Sequence, residues 1–252
     1  MNGAESLVKT LLAGGVDVCF ANPGTSEMHF VAALDKIPGM RCVLGLFEGV
    51  VTGAADGYYR MADKPASTLL HLGPGLANGL ANLHNAKKAD SGIVNIVGEH
   101  ATYHIEYNAP LTSDIEGLAR PMSHWVRTSP DAQSVAADGA AAIQAANAVP
   151  GQIATLILPA DTAWSPAETV AETQAASPPT PVSQDAVIAA AKMLRSGNKT
   201  TLMRGGRALR SCPLELVGRI VAKTGCGVLT EWSNTRFERG AGRIQINRIP
   251  YP

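Results

Sequence analysis

The 252-residue sequence predicts an α/β protein: a doubly wound, mostly parallel sheet followed by a second, incomplete α/β domain. Three observations predict it. Apolar runs of strand length alternate with segments of helical length. Those runs are apolar almost throughout, as strands covered on both faces are. Composition then shifts at Trp164–Gln184, which holds Pro166, Pro178, Pro179 and Pro181 among alanines and polar residues. That shift marks a linker.

Residues 4–14 read as a helix with Leu7, Leu11 and Leu12 on one face, stopped by Gly14-Gly15. A strand, 16–21, runs into Asn22-Pro-Gly-Thr-Ser-Glu27, where Ser26 or Thr25 is expected to cap the helix carrying Phe30, Val31 and Leu34. Residues 41–47 read as strand, 49–61 as helix, 66–72 as strand, 76–87 as helix and 92–98 as strand. The stretch 99–121 reads as irregular and polar, with one short helix at 114–119. A short strand at 123–128 precedes an alanine-rich helix, 131–148, whose bulk beyond Val135 and Ile143 is slight, and a buried strand at 153–158. The domain boundaries are therefore 1–163, a linker 164–182, and 183–252. The last part offers helices at 184–195 and 213–224 and two strands, 200–203 and 227–231, before trailing off at Arg248-Ile-Pro-Tyr-Pro252. Two strands in about 70 residues are too few for a complete doubly wound domain.

Lys+Arg and Asp+Glu are equal at 21 each, which gives no electrostatic case for nucleic acid or an acidic membrane. No apolar run is long enough to span a bilayer, and the first residues lack a secretory pattern. Cys19, Cys42, Cys212 and Cys226 form no CxxC pair, and read as buried reduced thiols of a cytoplasmic protein.

The stretch 41–99 concentrates the candidate chemistry. Glu48, His71 and the turn Gly73-Pro74-Gly75 all fall at carboxyl ends of strands, the edge where open α/β sheets bind ligands. Glu48 sits among Leu46, Phe47, Val50 and Val51, so a dry environment is expected. A carboxyl group in such a site can hold or share a proton near neutrality. The competing reading is an acid merely favoured in a first helical turn. Glycines at 73, 75 and 79 let backbone approach a ligand, and the following helix start favours anions. With Glu99 ending the next strand, that pattern also admits a nicotinamide-dependent oxidoreductase. His71 has a purely structural alternative. His100 and His104 would clamp a metal only if helical, and a solvated loop is the simpler reading. Asp17, Asp56, Asp114 and the arginines of the second domain read as surface residues.

With those residues in hand, 4–165 resemble the N-terminal, pyrimidine-binding domain of thiamine-diphosphate enzymes, in the branch of acetolactate synthase and benzoylformate decarboxylase. The resemblance rests on Asn22-Pro-Gly-Thr-Ser-Glu27, on Glu48 followed by Ala55-Asp-Gly-Tyr-Tyr-Arg60 and Lys64-Pro-Ala66, and on Gly73-Pro-Gly-Leu-Ala-Asn78-Gly-Leu-Ala-Asn82. The strands at 93–98 and 151–159 also match. It implies catalytic roles for Glu48 and His71. It implies cofactor contacts at Pro23, Gly24, Thr25, Glu48, Gly73, Pro74, Gly75 and Asn78, and no metal ligand. In that family the glutamate hydrogen-bonds the aminopyrimidine and stabilises its imino form, which deprotonates the thiazolium, the electron sink for 2-oxo acid decarboxylation. His71 and Thr25 point to benzoylformate decarboxylase, whereas Gly73-Pro-Gly-Leu-Ala-Asn78 points to an acetolactate-synthase-like carboligase. The resemblance further implies Mg²⁺ with the diphosphate in a C-terminal domain, because no Gly-Asp-Gly motif of the right context is present. The chain then reads as a fragment, inactive alone, of a homo-dimer or tetramer whose active site is shared between subunits. Whether FAD or a nucleotide binds the central domain is left open, and a non-catalytic scaffold domain is the remaining alternative.

Overall fold

The structure, a computed structural model, describes residues 1–174, 178–233 and 236–250. Positions 175–177 of the expected linker and the end of the tail at 251–252 lie outside the described residues. The chain divides into two compact units, Met1–Ser177 and Pro178–Pro252.

The first unit alternates α1 (Gly3–Ala13), β1 (Val18–Asn22), α2 (Met28–Lys36), β2 (Arg41–Leu44), α3 (Glu48–Ala62), β3 (Ala66–Leu70), α4 (Leu72–Lys88) and β4 (Ile93–Glu99). It continues with α5 (Ile115–Ala119), β5 (Trp125–Thr128), α6 (Val135–Ala146), β6 (Ile153–Pro159) and α7 (Ala160–Trp164). The strands form one six-stranded sheet in the order β2-β1-β3-β4-β6-β5, with every pairing parallel. β3, β4 and β6 are buried at every position, as their largely apolar character predicts, and the polar Thr68, Asn95 and Thr155 within them hydrogen-bond one another across the sheet.

Two cores flank the sheet, which makes it doubly wound. On one face Leu7, Leu11, Phe30, Val135 and Ile143 pack with Leu69 and Ile96. On the other Val51, Leu76, Leu83 and Ile115 pack with Leu70 and Ile93. The close α1–α6 contact depends on small residues: a Cβ on Gly139 would lie 2.5 Å from Leu7 Cδ1.

Several expectations are corrected. Helix α4 begins at Leu72, so Gly73-Pro74-Gly75 is its first turn rather than a turn preceding a helix. Pro74 is tolerated there because the first amides of a helix need no intrahelical acceptor. Neither Thr25 nor Ser26 caps α2, because residues 25–27 form a 3₁₀ turn of their own and the Glu27 carboxylate accepts the Gly24 amide at 2.7 Å. Residues 102–107 are a 3₁₀ helix within the stretch expected to be irregular. Asp56 is buried, held by Arg60 through two 2.8 Å contacts and by the Ser91 hydroxyl at 2.6 Å. Asp17 and Asp114 do lie at the surface as expected, Asp17 paired with Lys64 at 2.7 Å and Asp114 capping α5 through the Gly117 amide at 2.8 Å. Cys42, on the edge strand β2, and Cys212, in the first turn of the helix starting at Ser211, are exposed rather than buried.

The residues after α7 do not leave the first unit at once. The Gly3 amide donates to Ser165 at 3.1 Å and the Ala167 amide to Met1 at 2.9 Å. The Ser6 hydroxyl donates to Thr169 at 2.6 Å, so 165–169 run as a strap along α1.

The second unit holds α8 (Gln184–Leu194), β7 (Thr201–Arg204), α9 (Ser211–Thr224), β8 (Gly227–Thr230) and a two-residue β9 (Asn247–Arg248). Its strands pair in parallel in the order β7-β8-β9. Arg243 is exposed, as expected of this unit's arginines, and joins Glu238 at 3.0 Å, while Glu238 also accepts the Ser211 hydroxyl. Among the described residues no helix is long and apolar enough to cross a membrane.

Candidate functional site

The carboxyl ends of β2, β1, β3 and β4 lie side by side in the sheet. Each delivers an ionisable residue to one edge: Glu48 beyond β2, Glu27 beyond β1, His71 after β3 and Glu99 at the end of β4. Two constellations result.

The first is built on the α3–α4 pair. Glu48 is the first residue of α3 and only 8% exposed. The Thr52 hydroxyl bonds both Glu48 O (3.1 Å) and Gly79 O (3.0 Å), and Asn82 donates to Gly49 O at 2.6 Å. These bonds clamp the two helix starts together. The Asn78 amide donates to Glu48 Oε2 at 3.0 Å. A Cβ on Gly75 would stand 3.0 Å from Glu48 Oε1, so glycine at that place leaves the second oxygen unobstructed. The apolar flank anticipated for Glu48 is present, but only Val51 is buried. Leu46 is 89%, Phe47 50% and Val50 59% exposed, because the edge strand β2 has no neighbour beyond it in this chain.

The second constellation centres on a residue to which the sequence assigned no role. The Glu27 side chain is 1% exposed, and its Oε2 lies 2.7 Å from His71 Nδ1 and 2.7 Å from the Gly24 amide. A carboxylate facing Nδ1 places the ring proton on that nitrogen and leaves Nε2 as the free one. Gly24 is required for this packing: a Cβ there would come within 2.3 Å of the imidazole. Leu72, next to His71, is buried yet has φ +53°, a left-handed backbone that a leucine rarely adopts. Glu27 Oε1 and His100 Nε2 are buried polar atoms without a hydrogen-bond partner in the described structure.

Burial raises the Glu99 carboxyl, and the Glu27 charge adds to it, against the bond from the His100 amide at 2.7 Å. Burial lowers His100, helped by His104 and His71 and opposed by Glu27. Because folded Glu99 binds its proton more tightly than the unfolded chain does, its contribution to stability is present at acid pH. It is lost as pH rises through the folded value. Glu99→Gln keeps an oxygen for the His100 amide and removes that titration. The melting-temperature advantage of the variant over wild type is therefore expected to grow from acid to neutral pH, measured by calorimetry across that range.

Of the other predicted positions, Pro23 and Gly24 are half-buried after β1, and Thr25 is exposed at the start of the 3₁₀ turn. Pro74 and Asn78 are exposed on α4. Gly73 makes its close approach to the 111–115 loop, where its Cβ would fall 2.4 Å from Ser113 Cβ. His100 and His104 meet edge to face with ring centroids 5.7 Å apart. Among the described residues no group of three or more His, Cys, Asp or Glu is placed to hold a metal ion. Glu27 escaped the sequence reading because its partner is 44 residues away. Its only local signal is a carboxylate just past a strand end.

Residues 1–125 match the family model described as thiamine pyrophosphate enzyme, N-terminal TPP binding domain. The first unit belongs to that family. A Mycobacterium tuberculosis protein named as an acetolactate synthase large subunit, IlvX, is 55% identical over 252 residues, all of this chain and 48% of that protein. Benzoylformate decarboxylase of Pseudomonas aeruginosa is 34% identical over 154 residues, 61% of this chain and 29% of that enzyme. Among solved structures, a Rhodococcus jostii thiamine diphosphate-dependent 4-hydroxybenzoylformate decarboxylase superposes with a TM-score of 0.81 at 23% identity. That match covers 93% of this chain and 45% of the other, and supports the fold alone. This member of the family thus spans about half the length of the nearest of these curated relatives.

Proposed function

We propose that the first unit holds the aminopyrimidine of thiamine diphosphate in a 2-oxo acid enzyme, with Glu48 as the acid that shares a proton with the ring. The observation that carries this reading is the state of the Glu48 carboxyl. It is buried at the sheet's ligand edge, one oxygen is held by Asn78, and the other is left open by Gly75. A pre-oriented carboxyl with one free oxygen fits a ring nitrogen that must be bonded from one direction. Bound there, the cofactor would supply the carbanion-stabilising chemistry that side chains lack. The diphosphate and its Mg²⁺ are assigned to a domain outside this chain, which spans 48% of the IlvX relative.

His71, oriented by Glu27, presents Nε2 to the same edge and acts as the proton donor or acceptor for the reacting acid. Glu27 does not touch substrate in this scheme. It holds the imidazole and its tautomer, the part a carboxylate plays beside a catalytic histidine. Exposed Leu46, Phe47 and Val50 around a buried acid favour a second copy of the protein closing over the site. The relatives leave two chemistries open, and the acetolactate-synthase-like carboligase is preferred on the 55% identity. The test supplies the polypeptide, completed with its diphosphate-binding domain, with thiamine diphosphate, Mg²⁺ and a panel of 2-oxo acids. Acetolactate from pyruvate supports the carboligase, and an aldehyde from benzoylformate supports the decarboxylase. Failure of the completed protein to bind thiamine diphosphate overturns the proposal.

A further inference from the structure

Cys19 and Cys42 are register partners on adjacent parallel strands, β1 and β2. Strand neighbours stand about 4.8 Å apart, inside the range of Cα separations that a disulfide bridges. Partners in register project to the same face of the sheet, so the two thiols are neighbours there. Their environments differ sharply. Cys19 is fully buried against Ser67 of β3, its register partner on the other side. Cys42 is exposed on the edge strand. An accessible sulfur backed by a buried one is the arrangement of an attacking thiol with a resolving partner.

We propose that Cys19 and Cys42 form a reversible redox-modification site, in which a hydroperoxide converts the pair to a disulfide that ties the edge strand β2 to β1. The Cys42 thiolate attacks one peroxide oxygen and the O–O bond breaks. The leaving hydroxide takes a proton to become water, and Cys42 becomes a sulfenic acid. The Cys19 sulfur then attacks the Cys42 sulfur, the S–O bond breaks, and the displaced hydroxide leaves as water with the Cys19 proton. Two thiols and one hydrogen peroxide yield one disulfide and two waters, the peroxide being reduced by the two electrons that the sulfurs lose. A dithiol reductant reverses the bond by exchange.

The asymmetry favours this order of events. The neighbouring Cys19 thiol brings Cys42 down to about 7, against its own partial burial, while the Cys42 thiol and burial push Cys19 well up. The exposed thiol is therefore the one ionised near neutrality, and the buried one gains nucleophilic access only after Cys42 has been oxidised. The site lies near the starts of its strands, at the opposite end from the Glu48 edge, so it does not depend on the proposed catalytic function.

The test treats the intact chain with stoichiometric hydrogen peroxide at neutral pH and maps the products by non-reducing peptide mass spectrometry. The expected product is a Cys19–Cys42 cross-linked peptide, reversed by a dithiol, with Cys42 consumed about five- to tenfold faster than the exposed Cys212. Cys19→Ala should leave a Cys42 sulfenic acid that a dimedone probe traps. Because Cys19 is a core residue, the wild-type map decides the question if that variant fails to fold. Equal oxidation of Cys42 and Cys212, or a folded wild-type protein that gives no Cys19–Cys42 peptide, overturns the proposal.

Discussion

Glu48→Gln in the completed protein is expected to cut 2-oxo acid turnover by about 10²- to 10⁴-fold, the range that a positioned acid–base group supplies. The fold should not change. Glutamine keeps an oxygen where Asn78 donates at 3.0 Å, and the Thr52 bonds that join α3 to α4 use backbone acceptors. What the variant loses is the ability to give up and retrieve a proton. The decisive comparison is steady-state kinetics beside thermal melting: activity collapses while the melting temperature stays within a few degrees. Turnover within about threefold of wild type would remove Glu48 from its proposed role.

Gly98→Ala should be the most damaging single methyl addition at the site. A Cβ on Gly98 would sit 1.7 Å from Glu27 Oε1 and 2.5 Å from its carboxyl carbon. Glu27 has nowhere to retreat, being buried and tied to both Gly24 and His71. Either the carboxylate abandons those partners or β4 shifts from β6, with which Gly98 is in register at Leu158. Overpacking together with lost buried hydrogen bonds costs about 2–4 kcal/mol, a melting-temperature drop of roughly 5–15 °C for a unit of this size. A double-mutant cycle with Glu27→Ala isolates the clash. Removing the carboxylate should make Gly98→Ala far less harmful, and additive losses would show that the two residues do not collide.

Much of the fold was legible because parallel strands buried on both faces are written as short, mostly apolar runs. Ile93–Gly98 and Ile153–Leu158 could be read as little else. The start of α4 was not legible. Glycine and proline are poor helix formers in isolation, and Gly73-Pro74-Gly75 becomes helical only where Leu72 is buried and turned to φ +53°. Asp56 was misread for a related reason. Its neighbours in sequence do not reveal that Ser91 meets it across the fold.

Taken alone, the sequence determined the alternation of strands and helices and the placing of Glu48, His71 and the glycines at strand ends. Both follow from hydrophobic period and from residues that break it, which are local properties. Only the tertiary structure decided which of these side chains meet. Glu27 and His71 come together because β1 and β3 are neighbours in the sheet, and Cys19 faces Cys42 because β1 and β2 pair in that register. Glu48 meets Asn78 because α3 and α4 pack through Thr52 and Gly79. Contacts between residues distant in the chain depend on strand order, register and helix packing, and no single stretch of sequence encodes those.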